Sequence, residues 1–269
     1  MVESACPICG WPTELVTADK PMAPRFHAGR PWRRVAELFS WVLLRAPCER
    51  KPIKPSVNIQ RLYSLFGTRF RARRMRAFAQ ALQPSDSATI LDIGGYPATW
   101  TDFPHQPSVT TLNLHSVDFV QTPHLPPIRT TVGDGCKLDY ADAYFDIVFS
   151  NSVIEHVGSF ERQQAFASEA RRVGRALWIQ TPAKEFFIEP HLLAPFVHFL
   201  PVTFQRRLIR HVTPWGIITK PSPAEVESFL QEVRLISFTE MQRLFPDCRI
   251  HRETVFGFTK SYVAIRQRA

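Results

Sequence analysis

At 269 residues the chain is long enough to bury a core without metal or disulfide staples, and 45% apolar with 21% charged residues excludes wholesale disorder. Its five cysteines, at positions 6, 9, 48, 136 and 248, follow no basic leader with an apolar run, so a reducing, cytoplasmic setting is expected and a disulfide scaffold is not. The net charge of +9 has a local source: positions 20 to 80 hold fifteen Lys or Arg against Glu37 and Glu49, so the overall pI says nothing about the remainder.

Residues 1–56 read as an N-terminal extension, because Pro7, Pro12, Pro21, Pro24, Pro31, Pro47, Pro52 and Pro55 repeatedly interrupt helix or strand. CPIC at 6 to 9 is half a zinc knuckle with no second pair at comparable spacing, so two thiols and no metal are expected. RVAELFSWVLLRA at 34 to 46 has helical spacing and two open readings. It either rests on an anionic membrane surface beside the basic residues or packs on the main domain. Residues 57–269 read as that domain, entered by a helix within 58 to 82 that lines up Phe66, Phe70, Phe78 and Leu82.

From position 89 short apolar runs bounded by turn residues predict strands: TILDIGG, VTTLNL, IRTTV, YFDIVFS and ALWIQTP. Ser159 can cap a helix through Val173, and strand alternating with helix implies a parallel sheet. The segment at 182–222, with six prolines and little strand character, reads as an insertion or lid after the fifth strand. CRIHRETVFG and KSYVAIR are too closely linked for a parallel crossover, so the chain closes with an antiparallel hairpin.

The strongest motif is ILDIGG at 90 to 95, a buried strand ending in an acid and two glycines where a ligand could approach backbone. With VTTLNL, GDGCKLDYADAYFDIVFSNSVIEHV and the final hairpin following in order, the chain resembles the class I S-adenosylmethionine-dependent methyltransferases of the type 11 kind. The resemblance implies an α/β, Rossmann-like, mostly parallel seven-stranded sheet and S-adenosyl-L-methionine as cofactor. It places Asp92, Gly94 and Gly95 beneath the methionine part, Asn113 at the ribose where the family has an acid, Asp134 and Gly135 at the adenine, and Ser150 and Asn151 near the transferred methyl. Tyr96 and Ala98 depart from the family's later glycines, and the proline-rich links around strand two imply abbreviated helices.

Two histidines are candidates for chemistry. His156, just past the fourth strand beside Glu155, is placed to take a hydroxyl proton or, alternatively, to close the site by hydrogen bonding. His191, with Glu189 and His198, lies in an insertion whose Phe186, Phe187, Phe196 and Phe199 suit an apolar lid or a cap on the sheet. The leading expectation is O-directed methylation of a small-molecule, glycan or lipid-linked acceptor. An RNA methyltransferase, prompted by the basic N-terminal region, and a non-catalytic cofactor-binding protein are the alternatives.

Overall fold

A computed structural model describes residues 72–268; the CPIC thiols, the helix expected at 34 to 46 and the start of the helix expected from 58 lie outside them. Five strands, β1 (Thr89–Ile93), β2 (Ser108–Asn113), β3 (Ile128–Val132), β4 (Phe145–Asn151) and β5 (Gly174–Pro182), run parallel. A two-stranded ribbon, β6 (Ile188–Glu189) with β7 (Ala194–Pro195), stands apart. The hairpin of β8 (Arg249–Val255) and β9 (Phe258–Arg266) completes a seven-stranded sheet in the order β3-β2-β1-β4-β5-β9-β8, with β9 antiparallel to β5. The predicted Rossmann-like α/β sheet with its antiparallel close is thus the observed one.

The central strands form because their apolar runs are covered on both faces, as parallel strands require. On one face, α2 (Phe160–Val173) and α6 (Phe238–Leu244) press Phe166, Ala170, Met241 and Leu244 against Leu91, Ile93, Val148 and Leu177. Helix α2 begins where its sequence says: the Ser159 side chain accepts from the Arg162 N–H and satisfies one orphan donor. On the other face, the described part of α1, residues 72–82, brings Met75 and Phe78 onto Ile90, Phe149 and Trp178. The Phe78 ring sits 4.9 Å from Phe149 and 5.7 Å from Trp178, both edge-on.

Links at the sheet's far side are short, as the prolines imply: β1 passes to β2 through a single 3-10 turn, Pro97–Trp100, and residues 114 to 127 hold no helix. Residues 182–222, expected as an insertion or lid, carry helices as well as loop. They hold α3 (Val202–Val212) and α4 (Pro214–Thr219), followed by α5 (Pro223–Glu232). Pro214 falls at the first helical position, where its missing N–H costs nothing, and Thr213 caps the turn by accepting from the Gly216 N–H. The apolar residues of this segment do not all cap the sheet: Leu192, Ala194, Val197 and Ile209 form a separate small core with Val226 of α5. None of the described helices is long and apolar enough to cross a membrane.

Phe78 is fully buried between α1 and the sheet, so Phe78→Ala is expected to cost about 3–5 kcal/mol. A urea titration followed by circular dichroism reads this as a lowered midpoint with an unchanged slope.

Candidate functional site

In open parallel sheets ligands collect at the carboxyl edge, where strand ends deliver side chains and backbone donors without neighbours. Here β1, β4 and β5 end together: Asp92 lies opposite Phe149, and Asn151 opposite Gln180. The turn after β1 opens with Gly94 at φ +71°, a left-handed conformation that glycine adopts without strain. Gly95 has a different reason to lack a side chain, since a Cβ there would fall 1.8 Å from the Asp92 carboxylate. Asp92 is therefore folded under its own turn. Its Oδ2 accepts from the Trp100 indole N–H at 2.8 Å, and burial pushes its pKa up to about 7 against the lowering effect of that hydrogen bond.

The other cofactor candidates divide between scaffold and unsatisfied acceptors. Ser150 is fully buried and donates its hydroxyl to the Ile93 carbonyl at 3.0 Å, tying β4 to β1. Asn113 donates from Nδ2 to the Gly95 carbonyl at 3.0 Å, holding the glycine turn, while its buried Oδ1 has no hydrogen-bond partner. The Asn151 Oδ1 is likewise buried and unpartnered. An acceptor oxygen buried without a partner is costly unless a ligand supplies the donor, so these two amides could take donors from a bound ligand.

Asp134, after β3, accepts from the Cys136 backbone N–H at 2.9 Å and from Arg162 at 3.0 Å. Burial works against its charge, but these donors outweigh it and hold the carboxyl below the usual range. Gly135 packs flush against the core, because a Cβ would come within 2.8 Å of Ile93 and 3.0 Å of Phe166. Asp146 has a structural task, accepting from the Thr89 N–H and hydroxyl, both at 3.0 Å, at the opposite end of β4.

The two histidines, 35 positions apart in sequence, meet. His156 ends a 3-10 turn after β4 (Ile154–His156), and its Nε2 lies 3.1 Å from His191 Nε2. His191 Nδ1 lies 2.6 Å from Glu189 Oε1, while the second Glu189 oxygen accepts from the Leu192 N–H. Glu189 and His191 are both buried, 2% and 6% exposed, so this is a desolvated chain of Glu189, His191 and His156 ending at the partly open His156. Beside it Glu155 is wholly buried and accepts from the Thr181 hydroxyl at 2.9 Å. Burial pushes its carboxyl up in pKa, opposed by the neighbouring His156 and His191. His198, the third candidate of that segment, donates from Nε2 to the Lys184 carbonyl at 3.1 Å and is not among the residues that meet there. Sequence reasoning named both histidines but not their junction, since no local pattern links residues on two different loops.

Residues 106–176, from the approach to β2 through α2 and into β5, match the family model described as a methyltransferase domain. Among solved structures the chain is similar to a methyltransferase dependent on S-adenosylmethionine from Methanosarcina mazei, at 16% identity over 70% of this chain and 94% of that one, TM-score 0.41. It is also similar to one from Aquifex aeolicus, at 14% identity over 71% and 87%, TM-score 0.41. A third is the magnesium protoporphyrin IX methyltransferase of Synechocystis with bound SAH, at 12% identity over 88% and 97%, TM-score 0.43. Among the curated proteins nothing matches this sequence.

The buried Asp92 sets a pH dependence with a definite sign. An unfolded carboxyl ionises near 3.8, while the folded one keeps its proton up to about 7. The folded state therefore binds more protons across that window, and Asp92 subtracts stability as pH rises through it. Asp92→Asn retains an acceptor for Trp100 and removes the charge, so its stability relative to wild type should climb by about 2 kcal/mol between pH 5 and pH 8. Urea titrations of both proteins at the two pH values measure this; a pH-independent difference would mean that the carboxyl is not desolvated.

Proposed function

We propose that the chain is a class I S-adenosylmethionine-dependent methyltransferase and that it passes its methyl group to a hydroxyl of a small-molecule, glycan or lipid-linked acceptor, with His156 as the base and His191 and Glu189 behind it. The observation that carries the proposal is the buried carboxylate-imidazole-imidazole chain at the carboxyl edge of the sheet. When bound, the cofactor supplies a methyl group already activated on a positive sulfur, so the chain has only to position the acceptor and remove its proton. Amine and thiol acceptors lose their proton readily; an alcohol gains most from a base.

The hydrogen bonds give the proton a direction. Glu189 accepts from His191 Nδ1, which leaves the His191 Nε2 lone pair facing His156 in the neutral ring. His156 takes the acceptor proton and hands its Nε2 proton to His191, whose new positive charge is stabilised by Glu189 at 2.6 Å. On the cofactor side, Asn113 Oδ1 and Asn151 Oδ1 would receive donors of the adenosyl and methionine parts, Asp134 the adenine amino group, and the Gly94–Gly95 turn the close approach of the chain. Asp92 and Ser150 act on the cofactor indirectly by fixing that turn.

An apolar acceptor is favoured by rings grouped beside the ribbon: Phe187 lies 6.2 Å from Phe196 and 5.4 Å from Phe258, and both of these are more than half exposed. An RNA acceptor would depend on the basic residues between 20 and 80, most of them outside the described part.

The test is methyl transfer from radiolabelled S-adenosylmethionine to a panel of phenols, sugars and polyprenyl-linked alcohols, with matched amines and a structured RNA as comparators. Transfer to a hydroxyl is expected, falling about 10²- to 10⁴-fold in His156→Ala with S-adenosylhomocysteine affinity unchanged by calorimetry. Asp134→Ala should do the reverse and weaken that affinity at least about tenfold, the loss of one charge-assisted hydrogen bond. Transfer to amines or RNA alone, or a full rate in His156→Ala, would reject the proposal.

A further inference from the structure

The proton chain leaves one group unexplained. Glu155 is fully buried, and of its two carboxylate oxygens only Oε2 is satisfied, by Thr181; Oε1 has no hydrogen-bond partner. A buried carboxylate oxygen without a donor is costly unless something positive meets it. Glu155, His156 and His191 each offer one ligand atom, and the three atoms lie within 4.8 Å of one another.

From these facts we infer that Glu155, His156 and His191 form a site for a divalent first-row transition-metal ion. Two imidazoles and one carboxylate are a donor set that zinc, iron, cobalt and manganese accept, whereas magnesium and calcium prefer oxygen alone. The spacing fits: ligand atoms around one such ion sit roughly 3 to 4.4 Å apart, depending on the angle between them. The two Nε2 atoms are already 3.1 Å apart, and the Glu155 carboxylate is within a side-chain adjustment of joining them. The surroundings fit as well. Glu189 grips the far nitrogen of His191 and is itself pinned by the Leu192 N–H, which is how a carboxylate outside the ligand shell orients a metal-bound imidazole.

The two Nε2 atoms lie within hydrogen-bonding distance of each other; a bound cation would stand in place of that hydrogen bond and would also meet Glu155 Oε1. Occupancy does not depend on the hydroxyl-acceptor proposal, but its use does. A cation at this spot would hold the acceptor oxygen and make its proton more acidic, the work otherwise left to His156.

The experiment uses the full chain carrying Cys6→Ser and Cys9→Ser, so that the N-terminal thiols do not bind the probe. After dialysis against chelator it is titrated with Zn²⁺ by calorimetry and with Co²⁺ by visible absorption, with Mg²⁺ as comparator. The expected result is one Zn²⁺ per chain with Kd of micromolar or below, cobalt ligand-field bands, and no saturable Mg²⁺ binding in the same range. His191→Ala and Glu155→Gln should each weaken Zn²⁺ by at least a hundredfold. Glu189→Gln, which leaves every ligand in place, should weaken it about tenfold and serves as the readout should Glu155→Gln fail to fold.

Zinc affinity that is absent, or identical in wild type, His191→Ala and Glu189→Gln, overturns the metal site. Methyl transfer to a hydroxyl that depends on His156 in a protein without metal affinity would leave the proton chain standing and remove only the metal. Saturable zinc binding without hydroxyl methylation would keep the metal and remove the acceptor assignment.

Discussion

The site rests on a single constraint: three parallel strands end in register at one edge, and the chain must turn sharply there without wasting a backbone hydrogen bond. Pairing of β1 with β4 and of β4 with β5 brings Asp92, Ser150 and Asn151 to neighbouring strand ends. The turn after β1 is held from three sides, by Asp92 beneath Gly95, by the Trp100 indole on that carboxylate, and by Asn113 on the Gly95 carbonyl. Once these groups are spent on the turn, the acceptors left over at the edge include the oxygens of Asn113 and Asn151 and one oxygen of Glu155. The polar character of the site is thus a remainder, set by what the turn does not consume.

Departures from the glycine pattern of the methyltransferases that the chain resembles become intelligible in this light. Tyr96 precedes a proline-led 3-10 turn that ends at Trp100, and that turn delivers the indole N–H to Asp92. A more glycine-rich loop would not place a large aromatic there. Trp100 also belongs to the core on the α1 face, 5.2 Å from Phe103 and 5.3 Å from Phe149, so the loop is anchored by packing as well as by a hydrogen bond.

The insertion plays the complementary part. Its small core of Leu192, Val197 and Ile209, closed by Val226 of α5, lets it hold a charged and a titratable side chain, Glu189 and His191, out of water. Neither would be tolerated there alone; together, and with the Leu192 N–H, they satisfy one another. Opposite them the turn after β4 brings His156 and the buried Glu155. One cluster therefore draws on the loops after two adjacent parallel strands, the arrangement that lets a doubly wound sheet acquire chemistry without altering its core.

What the sequence determined by itself was local or periodic. Apolar runs at strand length gave β1 to β5, the Ser159 cap gave the start of α2, the short link around Gly257 gave the antiparallel close, and the prolines after β1 and β2 gave the missing helices. These features are legible because each is written in a few adjacent residues whose hydrogen-bonding and steric needs do not depend on the rest of the chain. Only the tertiary structure decided that Asp92 and Ser150 support the turn from below, that His198 donates to the Lys184 carbonyl, and that His156 meets His191. Those outcomes depend on the relative placement of loops separated by whole strands and helices, and burial, which sets both the orientation and the electrostatic worth of a polar side chain, comes into being only when those loops pack.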